Sequence, residues 1–146
     1  MGQLPLLHGV LPAGARALDE DECRSLLRTA EVGRLALTAG ALPAIVPVPF
    51  AVHDGDVVIP TCAGSPLLAA VRGAVVAFAV DCYRPRDRGG WGVNVVGPAR
   101  VVADPAEAGG LGTLEPFAGA PITGRCFVSV RIGLLRGWRV GGERPR

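Results

Sequence analysis

The chain has 146 residues, 49% of them apolar, and a formal charge of +2. That length holds one domain with a real core and is too short for two ordinary ones. The apolar share excludes a disordered chain, and so small a charge gives no electrostatic case for nucleic acid.

Residues 1–17, rich in Gly, Pro and Leu without a clear period, read as an N-terminal arm. Leu6, Leu7, Val10 and Leu11 in that arm call for cover by the domain or by a partner. Met1 to Pro5 carries no basic n-region and no apolar h-region follows. No run approaches the ~20 apolar residues that span a membrane. A cytoplasmic protein with reduced thiols and no membrane partner is therefore expected. All fifteen basic residues are Arg; with the abundant Ala, Gly, Pro and Val, this reads as a GC-rich coding sequence.

The first regular element is a helix. Asp19 is its N-cap, Glu22 completes a capping box, and Leu18, Cys23, Leu26, Leu27 and Ala30 mark one apolar face. Gly33 is expected to end it. Strand patterns follow at 34–38 and 44–52, with a turn at Gly40-Ala41-Leu42-Pro43. His53-Asp54-Gly55-Asp56 is the strongest hairpin signal in the chain, and 57–61 is the next strand. Cys62-Ala63-Gly64 is a loop. Ser65 is an N-cap and Pro66 suits the first helical position, with Leu67, Leu68 and Val71 as the buried face. Strands are expected at 74–83 and 91–102 around an exposed loop at 84–90. A helical turn opens at Asp104-Pro105, the last clear strand is 126–132, and Trp138 to Val140 extends the sheet. Residues 141–146 are a tail. Six strands with few helices predict a mainly β barrel over 18–140 rather than a βαβ sheet.

Several residue types could carry chemistry. Pro47 and Pro49, two apart, remove N–H donors from the same strand edge. Backbone groups near Val46 to Phe50 are then free for a ligand, or covered by another subunit. Gly64-Ser65 at a helix start is a potential anion site, though many helices begin this way. Trp91, between two glycines, has room to face a flat ring or to fill a core. Arg34, Arg72, Arg84, Arg86 and Arg88 are candidate phosphate binders; Arg34, following Gly33 at a strand mouth, is the best placed. Cys23, Cys62, Cys82 and Cys126 form no CxxC pair, and with His8 and His53 far apart no metal site is expected. Buried structural Cys is the reading for most of them. No catalytic triad can be assembled.

Taken in order, the pieces resemble the actinobacterial branch of the pyridoxamine 5'-phosphate oxidase-like family. They are Leu18-Asp19 with Cys23, Gly33-Arg34-Leu35-Ala36, Val46-Pro47-Val48-x-Phe50, Gly64-Ser65, Phe78-x-Val80-Asp81 and Gly90-Trp91-x-Val93. Leu114-Glu115-Pro116-Phe117 and Phe127-Val128-x-Val130-Arg131-Ile132 complete the set. The resemblance implies a six-stranded split barrel and a homodimer with ligand sites at the subunit interface. It implies FMN as cofactor and a flavin-dependent oxidoreductase acting on a small molecule by hydride transfer. Arg34 and Ser65 would lie near the phosphate. Val46, Pro47, Val48 and Thr61 would line the ring or ribityl chain, with Trp91 nearby. Pro66 departs from the pattern, since related chains often carry Lys or Arg after the Gly-Ser pair. Each charge-assisted hydrogen bond lost there is worth about 1.5–3 kcal/mol. A non-catalytic binding protein on the same barrel, a deazaflavin-dependent reductase and a haem binder are the alternatives within the family.

Overall fold

The computed structural model describes residues 11–103, 111, 114–120 and 124–141. The expected helical turn at Asp104 to Gly110, most of the N-terminal arm and most of the tail lie outside them. Nine strands and two helices are present among the described residues: β1 (Arg16–Ala17), α1 (Glu20–Thr29), β2 (Val32–Ala39), β3 (Leu42–Pro49), β4 (Ala51–His53), β5 (Asp56–Cys62), α2 (Pro66–Val71), β6 (Val75–Arg84), β7 (Gly89–Val102), β8 (Arg125–Arg131) and β9 (Leu134–Val140).

The sheet order is β3-β2-β6-β7-β8-β5-β4, with β9 also on β7 and β1 on β9. Every pairing is antiparallel. The two ends of this path, β3 and β4, are separated in the chain by Phe50 alone. A sheet whose edges are tied by one residue must curl, and this one does so into a barrel.

Nine strands replace the expected six for identifiable reasons. The second expected strand breaks at Phe50, whose N–H donates to the Glu31 carbonyl at 3.1 Å. β8 and β9 are one bent strand alongside β7. Ala99 pairs with Val130 and Val96 with Leu134, so one extra residue sits between them and makes a bulge at Ile132–Gly133. Gly97 makes that bulge possible, because a Cβ there would lie 1.7 Å from the Arg131 carbonyl oxygen. β1 is two residues at the end of the expected arm.

Local chemistry sets the helices and turns. Asp19 and Glu22 form the capping box, with bonds of 2.8 and 3.0 Å. The helix ends at Ala30 in extended geometry, not at Gly33. Gly33 is instead inside β2, where a Cβ would be 2.2 Å from the Phe78 ring. The first hairpin turns on Gly40 and Ala41, both at positive φ, and Leu42 and Pro43 already belong to β3. Asp54 and Gly55 are also both at positive φ, the geometry that two-residue hairpins favour.

Alternation fixes two faces. Leu35, Leu37, Val57, Ile59, Val76, Phe78, Val80, Val93, Val95, Val128 and Val130 fill the barrel. Cys23 and Leu27 of α1 and Leu68 and Val71 of α2 close it. α1 contacts β4, at the start of β5, and α2 follows the far end of β5, so the helices cover opposite ends. Gly137 lets α1 approach, since its Cβ would meet Cys23 Sγ at 2.6 Å. A smaller outer cluster of Val58, Val102, Leu111 and Phe127 covers part of the β5–β8–β7 face.

Gly33→Ala should therefore destabilise the protein. Overpacking against a fully buried ring costs about 1–3 kcal/mol, a fall in Tm of roughly 3–10 °C. Thermal unfolding followed by circular dichroism checks it, and an unchanged Tm contradicts the Phe78 contact.

Candidate functional site

The barrel is open along one seam, and prolines open it. His53 and Asp56 close the β4–β5 hairpin, and the ladder runs back to Ala51 and Val58. Continuing the same register sets Pro49 opposite Pro60 and Pro47 opposite Cys62. In this register Pro49 and Pro60 would exchange both hydrogen bonds of the next bonded pair. Neither has an N–H, so the ladder stops and β3 and β5 touch without pairing.

The other edge of β3 shows the same parity. Proline cannot donate, so the ladder to β2 runs through the amides of Ala44, Val46 and Val48. Residues 43, 45, 47 and 49 then direct their backbone groups to the seam. Three of the four are proline, leaving Ile45 as the one N–H on that stretch. The seam is thus rich in carbonyl acceptors and poor in donors. A ligand presenting hydroxyls or ring N–H groups suits such an edge.

The structure separates the sequence-predicted site residues into groups. Pro47 lies on the seam, exposed, and pairs with Arg34 of β2. Arg34 projects from the outer face, also exposed. Val48 is buried and Val46 half-buried against the core, so they can meet a ligand through backbone alone. Thr61 is buried at the end of β5 and lines a pocket of about 330 Å³ with residues 115–120 and Arg125. Arg125 pairs with Glu115 there at 3.1 Å. Ser65 caps α2, its hydroxyl accepting from the Leu67 N–H at 3.3 Å. Pro66 at the first helical position offers neither charge nor N–H. Trp91 is half-buried and packs on the main core. Arg34 and Pro47 therefore stand together at the β3 edge of the seam, Thr61 lines a separate pocket at the end of β5, and Trp91 packs against the core.

The outer face also holds residues that the sequence reading did not single out. Register aligns Pro47, Arg34, Ala79, Asn94 and Arg136 across β3, β2, β6, β7 and β9. Trp138, two residues after Arg136, lies over Gly92 and donates its indole N–H to Tyr83 Oη at 2.8 Å. The next row runs Ile45, Ala36, Ala77, Val96 and Leu134. Val32, Ile45, Val75 and Leu134 all stand on this face and are exposed, Ile45 by 72% and Val75 by 69%. The alternation of β9 was the available signal, but only its last three residues were legible as strand.

The cysteines do not form a reactive centre. All four are free thiols. Burial pushes the Cys23 thiol up, helped by Asp19, Glu22 and Glu20. Burial also raises Cys126, with Cys62 adding to it and Arg72 opposing it. No group of three or more metal-ligating side chains occurs among the described residues. No helix among them is long and apolar enough to cross a membrane.

Comparison with known proteins bears on this arrangement. Residues 19–114 match the family model described as "Pyridoxamine 5'-phosphate oxidase". Uncharacterized protein Rv0080 of Mycobacterium tuberculosis is 43% identical over 95 residues, which is 62% of this chain and 62% of that protein. The chain thus spans under two thirds of that relative's length. The FAD binding protein of Mycobacterium smegmatis superposes with a TM-score of 0.70 at 28% identity, covering 86% of this chain and 98% of its own. The FAD and heme binding protein of the same organism shares the fold, with a TM-score of 0.70 at 19% identity, over 91% of this chain and 76% of its own.

Thiol chemistry tests the packing. Near about pH 7 a chromogenic thiol reagent should label exposed Cys82 first and leave Cys23 and Cys126 largely unmodified, because reaction needs an accessible thiolate. Their labelling should rise at higher pH than that of an ordinary thiol, since burial shifts both upward. Cys126 labelling as fast as Cys82 in the native protein, read by mass spectrometry, contradicts the arrangement.

Proposed function

Because the chain belongs to the pyridoxamine 5'-phosphate oxidase family, we propose that it is a homodimeric flavoprotein. In this reading it binds FMN along the proline-lined seam and acts as an oxidoreductase on a small molecule by hydride transfer. The observation that carries the reading is the donor-poor edge of β3 beside Arg34. The FAD-binding relative of the same fold supports a flavin as the occupant.

The residues present fit such a group. Arg34 makes no side-chain ion pair or hydrogen bond with the described residues, and its guanidinium would hold the phosphate. The carbonyls of Ile45, Pro47 and Pro49 would accept from ribityl hydroxyls and a ring N–H. Thr61 would add a hydroxyl from the far bank. Ser65, already engaged as a cap, would contribute at most a lone pair, and Pro66 nothing. The phosphate is therefore assigned to Arg34 rather than to the start of α2. Val46 and Val48 would shape the floor through their backbone, and Trp91 would support it from the core. The bound flavin supplies the hydride chemistry; the chain supplies position and hydrogen bonds.

A second copy would cover the outer face. An apolar sheet surface carrying Val32, Ile45, Val75 and Leu134 is larger than scattered surface hydrophobics explain. The small residues Ala36, Ala77 and Ala79 at its centre would let another flat surface approach. The free thiols fit a reducing cytoplasm. Pro66 favours one other reading, a non-catalytic binding protein on the same barrel.

The visible spectrum of freshly purified protein tests the assignment, since flavin, deazaflavin and haem absorb differently. Flavin bands, or quenching of added FMN or FAD fluorescence, are expected. A colourless protein that ignores both flavins sinks the reading. With flavin bound, Arg34→Ala should weaken FMN affinity roughly 10- to 100-fold, and Arg86→Ala much less. Equal, negligible effects remove Arg34 from the site.

Sedimentation tests the dimer separately. The wild type is expected to sediment as a dimer at micromolar concentration. Ile45→Asp should shift it to monomer, because a charge buried without a partner in an interface is strongly unfavourable. A monomeric wild type contradicts the assignment of this face.

A further inference from the structure

The pocket at the end of β5 has a chemistry of its own. Thr61, residues 115–120 and Arg125 enclose about 330 Å³, within the range that small-molecule sites occupy. Its walls are held from several sides. Leu114 packs against the outer cluster. The Ala120 N–H donates to the Phe117 carbonyl at 3.2 Å, and the Ala63 N–H donates to the Gly124 carbonyl at 2.6 Å. Gly119 takes a φ of 96° inside the first of these turns, where a side chain would be strained. The loop is therefore tied at both ends and shaped before any ligand arrives.

The lining combines a guanidinium, an aromatic ring and a hydroxyl. Arg125 meets Glu115 at 3.1 Å, but the two side chains differ in exposure, 35% for Arg125 and 74% for Glu115. An ion pair with so exposed a carboxylate contributes little to stability. A second carboxylate entering the pocket can therefore take the place of Glu115. Guanidinium and carboxylate pair through two parallel N–H bonds, which fixes the plane of the incoming acid. Phe117 lines the same pocket and is 47% exposed, so it offers aromatic surface to a flat group. Thr61 is buried and brings a hydroxyl that can donate or accept. The local field also favours an anion. Burial raises the thiol of Cys126, the register partner of Thr61, and Arg72 at the end of α2 opposes that rise. Two guanidiniums thus act on this end of the barrel, and Glu115 is the one carboxylate lining the pocket among the described residues.

We propose that this pocket binds a small planar aryl carboxylate. Arg125 takes the carboxylate in place of Glu115, Phe117 covers the ring, and the Thr61 hydroxyl meets a polar group of the ligand. Glu115 is then a competitor: it neutralises Arg125 while the pocket is empty and swings out to solvent when the acid binds. The pocket lies apart from the β3 edge of the seam, so an aryl acid is bound here whether or not a flavin occupies that edge.

The test titrates benzoate into the full-length wild type, Glu115→Gln and Arg125→Gln and follows backbone amide shifts by NMR, with benzamide and cyclohexanecarboxylate as control ligands. In the wild type, benzoate should shift the amides of Thr61, Gly119 and Arg125 saturably. Benzamide, flat but uncharged, should bind about tenfold or more weakly. Cyclohexanecarboxylate, charged but not flat, should also bind more weakly than benzoate. Arg125→Gln should lose about tenfold or more in benzoate affinity. Glu115→Gln should gain about two- to fivefold, because the competing carboxylate is gone. A merely structural ion pair does not produce that gain. Glu115 is mostly solvent-exposed, so its variant decides the matter even if Arg125→Gln fails to fold. Benzoate binding that is unchanged or weaker in Glu115→Gln overturns the proposal. Equal affinity for benzoate and either control ligand overturns it too, as do shifts confined to other parts of the barrel. Absence of saturable benzoate binding up to roughly 20 mM, a free energy of only about 2 kcal/mol, also overturns it.

Discussion

The structure depends on a hydrogen bond that cannot form. Pro49 and Pro60 fall opposite each other where the β4–β5 hairpin would otherwise zip onward, and neither can donate. Had either residue carried an N–H, the ladder from Ala51–Val58 could have run on into β3 and β5. The sheet would then close as a continuous barrel with no exposed backbone at that seam. The prolines leave the curl intact, because Phe50 still ties β3 to β4, but they hold the seam open. They also make the open edge safe. An edge with three missing donors on one strand is a poor template for pairing with another chain's strand.

Phe50 does more than tie the edges. Its ring meets that of Phe78 edge-on, with centroids 4.7 Å apart, and both lie in the core with Leu35, Val48 and Val80. Gly33 is beneath the Phe78 ring, so the absence of one side chain on β2 seats the aromatic pair. α1 closes the same core through Cys23 and Leu27, and Gly137 gives Cys23 its room. The glycines at 33, 97 and 137 thus set how closely the ring, the bulge and the helix can approach the sheet. The seam, the row of outer residues and the bulged strand are positioned by these contacts rather than by side chains at the site.

Much of this was legible in the sequence, for local reasons. The capping box at Asp19 and Glu22, the Asp54-Gly55 hairpin and the Ser65-Pro66 helix start each use chemistry that operates within four residues, and each stands where the sequence puts it. The pairing of Pro47 and Pro49 on one edge was legible from period alone. Its consequence was not, because that needs Pro60 in register across the hairpin. Gly33 misled, since a glycine after a helical pattern resembles a C-cap, whereas here a ring 45 residues later claims the space. Trp91 drew notice through its glycine neighbours. Trp138 and Arg136 did not, because their shared face with Arg34 exists only once β9 docks on β7 and β7 on β6. Long-range register, not composition, assembles that row.

The two faces of the sheet explain why a ligand site and an interface would coincide. Inward residues are Leu, Val, Ile and Phe and complete a core. Outward residues on β2, β6, β7 and β9 are mostly small or apolar, interrupted by Arg34, Asn94 and Arg136 in a single line and by Asp81 in the next row. An apolar face in water is unfavourable, and burying it would strip solvent from the charges embedded in it. Burying those charges costs heavily unless each meets an acceptor. Arg34 stands beside the seam with its guanidinium uncommitted, and Arg136 has a buried donor with no partner even in the single chain. Covering this face with a second copy alone would bury both cations at a penalty. Covering it with a second copy and an anionic, acceptor-bearing ligand removes the penalty. Association and ligand binding are in that case one coupled equilibrium, in which each step increases the affinity of the other.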